Sequence, residues 1–203
     1  MSNSNFDVSK RLHSTNSIFN CVCVLLFVVL LITSCKKDDK EDPSLEIWKQ
    51  QNEKVFNDLA FNPDLTELRM PGAVASIYYR VIQKGEGKRV YYNSRAEVYY
   101  KGWFVATNTD LNIEAGTVFD QRLFDDGTVL KVAVSGQVAD ANYSILEVAG
   151  WAIALQYMVE GDKWEVHIPY QLAYGENGKR TIPGYTTLAF EIELIKAIDL
   201  DEF

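Results

Sequence analysis

The sequence predicts an α+β protein: an antiparallel β-sheet packed on one short α-helix, behind an N-terminal helical extension. Three observations carry this reading. Five stretches after Ala75 are rich in β-branched and aromatic residues, the texture of strands. One short segment after Gly150 repeats its apolar residues at helical spacing. A second helical pattern stands ahead of Ala75, flanked by its own start and stop signals. Strands with one helix among them fit a sheet that buries a face on that helix.

The chain opens with a polar stretch carrying Lys10 and Arg11, and an apolar run of 12 residues follows from Cys21 to Ile32. That is short of the ~20 residues that cross a bilayer as a helix. A charged start, a short apolar core and small residues after it make the pattern of a secretory signal peptide. The run ends Leu31-Ile32-Thr33-Ser34-Cys35, which resembles a bacterial lipobox. The expectation is therefore a signal peptide over 1–34, with Cys35 lipidated and holding the protein to a membrane. Acyl chains anchor through their CH₂ groups, about 0.8 kcal/mol for each one buried. The charged stretch Lys36-Lys37-Asp38-Asp39-Lys40-Glu41-Asp42 reads as a solvated tether, 35–43. A sharper reading is also open, because lysines then acidic residues after the cysteine resemble the surface-export signal of some Gram-negative lipoproteins.

A helical extension is expected over 44–73. Asp42-Pro43 supplies an N-cap and a first-turn proline. Leu45, Trp48, Val55, Phe56 and Leu59 recur at helical spacing, and Asn62-Pro63 ends the pattern. Such a stripe must be buried. It packs on its own domain, the preferred reading, or pairs with a second copy to make a homodimer.

The remaining domain is expected over 74–199. Residues 76–82 read as a strand, and Gly85-Glu86-Gly87 as a turn. Further strands are expected over 97–105, 129–134, 163–168 and 188–198. The last alternates cleanly, with Leu188, Phe190, Ile192 and Leu194 on one face and Glu191 and Glu193 on the other. The short helix begins after Gly150, puts Trp151, Ala154, Leu155 and Met158 on one face, and closes at Glu160-Gly161-Asp162.

Composition narrows the chemistry. The chain has 203 residues, 47% of them hydrophobic, so it can bury enough apolar surface to fold. Its net charge of −8 argues against a nucleic-acid partner, which needs a basic face for phosphates. All three cysteines lie within the first 35 residues, and His167 is the sole histidine after the signal segment. A triad built on histidine would have only His167 to use, and metal sites built on His/Cys spacing are excluded. The expectation is no metal and no cofactor, though a carboxylate-only calcium site and paired-carboxylate glycoside chemistry stay open on spacing alone. His167, between Val166 and Ile168, reads as a satisfied or exposed strand histidine. What is left is a pocket of aromatic and aliphatic residues, suited to binding or to a reaction that needs no strong acid, base or nucleophile.

A set of stretches now lines up in order. Ile82-Gln83-Lys84-Gly85-Glu86-Gly87 opens it, and Val98-Tyr99-Tyr100-Lys101-Gly102 and Gly116-Thr117-Val118-Phe119-Asp120 follow. Gly150-Trp151, Ala154 to Met158, and Gly161-Asp162-Lys163 come next. Ile168-Pro169, Leu172-Ala173-Tyr174-Gly175, Ile182-Pro183 and Leu188 to Leu194 complete it. In this order and spacing the chain resembles the FKBP-type peptidyl-prolyl isomerases, from about Ser76 to Ile198.

The resemblance implies a sheet half-wrapped around the helix at Trp151, with a prolyl pocket between them and proline-containing polypeptides as substrates. It implies catalytic roles for Trp151 as the floor, Phe119 as a wall, Tyr174 as donor to a substrate carbonyl and Asp120 as the acidic group at the rim. It implies substrate contacts by Tyr100, Val148, Ile182 and Phe190. For each aromatic the plain alternative is core packing. The chain departs from the family pattern by extra residues between Trp103 and Ala115 and between Gly136 and Gly150. Glu147 and Thr181 stand where aliphatic residues are usual, and Leu130 where an aromatic wall is usual. Two other functions stay open on this sequence: a non-catalytic binding module or holdase chaperone, and a surface lipoprotein that binds through its inserted loops.

Overall fold

The computed structural model describes residues 42–135 and 142–199. The signal segment, Cys35 and most of the tether lie outside these, as do Ala139-Asp140-Ala141 of the second insertion.

Helix α1 spans Pro43–Asp58 and starts as its cap residue dictates: Asp42 Oδ1 accepts from the Ser44 N–H at 3.0 Å, with proline in the first turn. A 3₁₀ turn, Leu59–Phe61, finishes it. The apolar stripe packs on the chain's own domain. Trp48 is fully buried with its ring edge-on to Phe104 at 6.4 Å, and Phe56 meets Tyr78 at 5.3 Å. Leu45 and Val55 rest on the same core.

The strands are β1 Thr66–Leu68, β2 Ile77–Gln83, β3 Arg95–Phe104, β4 Val118–Arg122, β5 Leu130–Ala133, β6 Ser144–Ile145, β7 Lys163–Ile168 and β8 Leu188–Ile198. They form one sheet in the order β1-β2-β7-β8-β3-β5-β6, and β4 pairs with the far half of β3. Pairing is antiparallel except for the two-residue β5–β6 contact, which is parallel. The long strands fall where β-branched alternation puts them. β1, β4 and β6 are short and mostly exposed, so no apolar alternation marks them.

The inner face of the sheet packs on helix α2, Ala149–Leu155. This helix starts earlier than the sequence suggests, with Gly150 inside it. The glycine serves close packing, since a Cβ there would stand 2.5 Å from Ile168 Cγ2. Trp151, Ala154, Leu155 and Met158 are all buried, as their spacing predicts. The Gly85-Glu86-Gly87 stretch is not a reverse turn. Gly85 N–H donates to Asp162 Oδ1 at 2.7 Å and Gly87 N–H to the Glu160 carbonyl at 3.1 Å. A Cβ on Gly85 would come within 2.3 Å of that carbonyl oxygen, so these glycines allow two backbones to lie together.

The first insertion packs beneath α1. Ala106 and Ile113 are buried, Asn108 bridges Ile113, and Asn108 Nδ2 donates to Gln51 Oε1 of α1 at 3.2 Å. His167 on β7 is buried and is satisfied on one side: Nε2 lies 2.8 Å from Glu165 Oε1, and the other oxygen of Glu165 accepts from Arg80 at 2.6 Å.

Candidate active site

Between α2 and the inner sheet lies a cavity of about 470 Å³, within the size range of small-ligand sites. Trp151, one turn into α2, lies at its base and is only 4% exposed. β3 supplies Tyr100, β8 supplies Phe190 and β4 supplies Phe119. These rings meet edge to face: Tyr100–Trp151 at 5.1 Å, Trp151–Phe190 at 5.2 Å and Phe119–Phe190 at 5.6 Å. Edge-to-face contacts fix ring positions beyond what area burial alone would do. Val148, the residue before α2, closes the base.

Tyr100, Phe119, Asp120, Val148, Trp151, Tyr174 and Phe190 thus line one cavity, as the sequence suggests. Ile182 does not. It is buried in a tight turn, where its N–H donates to the Lys179 carbonyl and its carbonyl accepts from the Lys179 N–H, and it packs with the core. Leu130, Val132 and the 144–147 segment complete the lining. Ser144, Ile145 and Leu146 carried no signal in the sequence, because a two-residue strand and the residue after it are too short to show periodicity. Gly102 is a further site residue whose role no pattern reveals. Its missing side chain leaves room for the walls: a Cβ there would sit 2.7 Å from both Phe119 Cζ and Phe190 Cε1.

The polar groups are few. Tyr100 Oη donates to Asp120 Oδ2 at 2.7 Å. Burial, and then the Asp120 carboxylate, hold the Tyr100 phenol well above its ordinary range. Burial likewise raises Tyr174, helped by the negative charges of Glu147 and Asp120. Glu147 forms an ion pair with Lys179, whose ammonium lies 5.5 Å from the centre of the Tyr174 ring. The pair links the loop before α2 to the loop carrying Tyr174, at the cavity wall. Both phenols stay protonated at neutral pH. The lining offers aromatic volume and hydroxyl donors, without an imidazole, thiol or amine. That suits a bond rotation better than a covalent step.

The family model for FKBP-type peptidyl-prolyl cis-trans isomerase matches residues 86–195, more than half of the chain. The chain belongs to this family. The FKBP-type 22 kDa peptidyl-prolyl cis-trans isomerase of Escherichia coli is 34% identical over 125 residues, covering 61% of this chain and 51% of that protein. The chain therefore spans about half the length of this curated relative. The FK506-binding protein of Neisseria meningitidis serogroup A is 31% identical over 128 residues, 62% of this chain and all of that protein. Among solved structures, the peptidyl-prolyl cis-trans isomerase of Pseudomonas syringae pv. tomato aligns with a TM-score of 0.58 and 28% identity, over 78% of this chain and 98% of that one.

Within this FKBP domain the departures from the family pattern separate by place. Leu130 and Glu147 line the cavity, so they alter its wall and its charge. Thr181 is exposed beside Ile182 and outside the lining. The insertion between Trp103 and Ala115 belongs to the α1 side of the core.

Proposed function

We propose that the chain catalyses cis-trans rotation about Xaa-Pro bonds in polypeptides that fold in the cell envelope or are secreted through it. The observation that carries the reading is the joining of Trp151, Phe119, Phe190 and Tyr100 around one cavity, with Tyr174 and Asp120 at its edge. In this reading the proline ring rests on Trp151 between the aromatic walls. The planar amide has charge separation that a twisted amide loses, so an apolar cavity favours the twisted form. Tyr174 Oη and backbone donors hold the flanking carbonyls. These contacts lower the barrier when they are stronger in the twisted state than in the planar one. The uncatalysed barrier is about 18–20 kcal/mol, and a millionfold acceleration needs about 8 kcal/mol of it. No cofactor and no covalent intermediate takes part.

The location rests on sequence signals: the signal peptide over 1–34 and lipidation of Cys35 at an outer membrane, facing the periplasm or the cell surface. Replacing Cys35 by serine and following incorporation of a labelled fatty acid tests the anchor. A label retained by the variant would remove it. α1 buries its stripe on its own domain, which supports a monomer over a homodimer through that helix.

The activity is tested by isomerisation of a short Xaa-Pro peptide series, with Tyr174→Ala beside the parent chain. Acceleration that the variant loses supports the enzyme and its site. A folded chain that accelerates nothing overturns it and favours a binding module or holdase on the same fold. Trimming the extra residues between Gly136 and Gly150 then distinguishes a lipoprotein that binds through its insertions.

A further inference from the structure

We propose that α1 is a positioning element for the pocket, with Asn52 and Trp48 as its positioning residues; the inference rests on the isomerase reading. The two are the side chains of α1 that are fully buried, and both engage the same partner segment. Trp48 Nε1–H donates to Thr186 Oγ1 at 2.9 Å, and that hydroxyl donates onward to the Pro183 carbonyl at 2.7 Å. Asn52 Oδ1 accepts from the Thr187 backbone N–H at 2.8 Å, while its Nδ2 donates to the Trp48 carbonyl at 2.9 Å. One buried amide thus ties the helix to the strand entrance and braces the tryptophan.

Tyr185 lies between these anchors and the pocket. It is held in the left-handed region at φ 61°, a conformation a tyrosine keeps only when its surroundings enforce it. Its neighbours Thr186 and Thr187 are gripped by α1, Lys49 of α1 sits 4.6 Å from its ring centre, and its ring meets Tyr170 edge-on at 5.1 Å. Its N–H donates to the Gly175 carbonyl at 2.9 Å. Gly175 follows Tyr174 directly. Contacts therefore run without a break from Asn52 and Trp48 through Tyr185 to the residue bearing the pocket hydroxyl. Loss of the Asn52 amide leaves the Thr187 N–H without its partner and releases Tyr185 from its strained conformation. The loop carrying Tyr174 then loses its placement, while the aromatic box around Trp151 stays intact.

The test uses the full chain in mild detergent, with Asn52→Ala and the milder Trp48→Phe, which keeps a ring but loses the bond to Thr186. Val90→Ala, a buried change outside the pocket, serves as a control matched for lost Tm. Hydrogen exchange at the Tyr185 and Thr187 amides, the Tyr174 ring signals in NMR, and kcat and KM on Xaa-Pro peptides are recorded. Asn52→Ala is expected to speed exchange at these amides by about tenfold or more, because it opens the segment locally. Its kcat/KM is expected to fall roughly fivefold to tenfold through misplacement of Tyr174, with Val90→Ala near the parent value. Trp48→Phe should fall between, and it carries the test if Asn52→Ala does not fold. Equal kcat/KM in the α1 variants and the control, at equal loss of Tm, overturns the proposal. If the parent chain has no isomerase activity, the isomerase reading fails instead. Exchange and Tyr174 signals that respond to Asn52 then still uphold the coupling, and signals that do not respond refute it.

Discussion

Tyr174 and Tyr100 stand in one cavity but have different duties. The Tyr100 hydroxyl is already engaged as a hydrogen-bond donor to Asp120, which holds the ring in place as a wall. In the proposed reaction Tyr174 keeps its hydroxyl for a substrate carbonyl. Tyr174→Phe should therefore lower kcat/KM about tenfold, the loss of ~1.4 kcal/mol in the transition state, with Tm little changed. Tyr100→Phe should cost activity much less. Equal losses in a steady-state comparison of the two would refute this division of roles. Gly102 gives a second prediction at this scale. Gly102→Ala puts a methyl 2.7 Å from both Phe119 and Phe190, so the walls must part. The variant should fold and lose most of its activity, and near-normal kcat/KM would show that the walls need no fixed spacing. Six of the cavity residues, Tyr100, Phe119, Asp120, Trp151, Tyr174 and Phe190, stand in short stretches whose order matched a family. Gly102 as a spacer and Ile182 as a core residue were not, because each depends on what another strand or turn places opposite it.

At the scale of elements, the sequence announces those with long periodic patterns and hides those made by tertiary contact. α1 and β8 are legible from alternation and capping. Asn52 is not, because a polar residue on the stripe of a helix looks solvated until Thr187 is seen against it. The extra residues between Trp103 and Ala115 read only as a departure from the family pattern, yet they extend the core beneath α1. Asn108 explains this: its Oδ1 accepts from the Asp110 and Leu111 N–H groups, shaping the loop, while Nδ2 reaches Gln51. Asn108→Ala should cost about 1–2 kcal/mol of stability through these lost buried bonds. Trp48→Ala should cost about 3–5 kcal/mol, as a fully buried tryptophan removed from a packed interface does. Chemical denaturation reads both. A Trp48→Ala chain within ~1 kcal/mol of the parent would mean that α1 is dispensable to the core.

The stability of the whole molecule should depend on pH in a way set by named groups. Tyr100 and Tyr174 are both raised above the phenol range, by burial first. A folded chain that holds those protons more tightly than the unfolded chain gains stability below the unfolded phenol pKa, about 10, and loses it as pH rises through the folded values. Lys163, raised chiefly by its bond to Glu193, adds to the same alkaline loss above its own unfolded value. The acid side has the opposite sign. Glu165 is lowered by its bond to His167 and then by Arg80, although burial alone would raise it. Its contribution is present above the unfolded carboxyl range and disappears as pH falls through the depressed folded value. The urea midpoint should therefore be flat from roughly pH 5 to 10 and fall on both sides. Tyr100→Phe removes one raised phenol while keeping the ring against Trp151, so it should make the alkaline fall shallower and leave the acid limb unchanged. His167→Gln should act on the acid limb instead. If Tyr100→Phe leaves the alkaline slope as steep as in the parent, then the Tyr100–Asp120 pair does not hold its proton more tightly when folded. The buried wall inferred for the cavity would in that case be open to solvent.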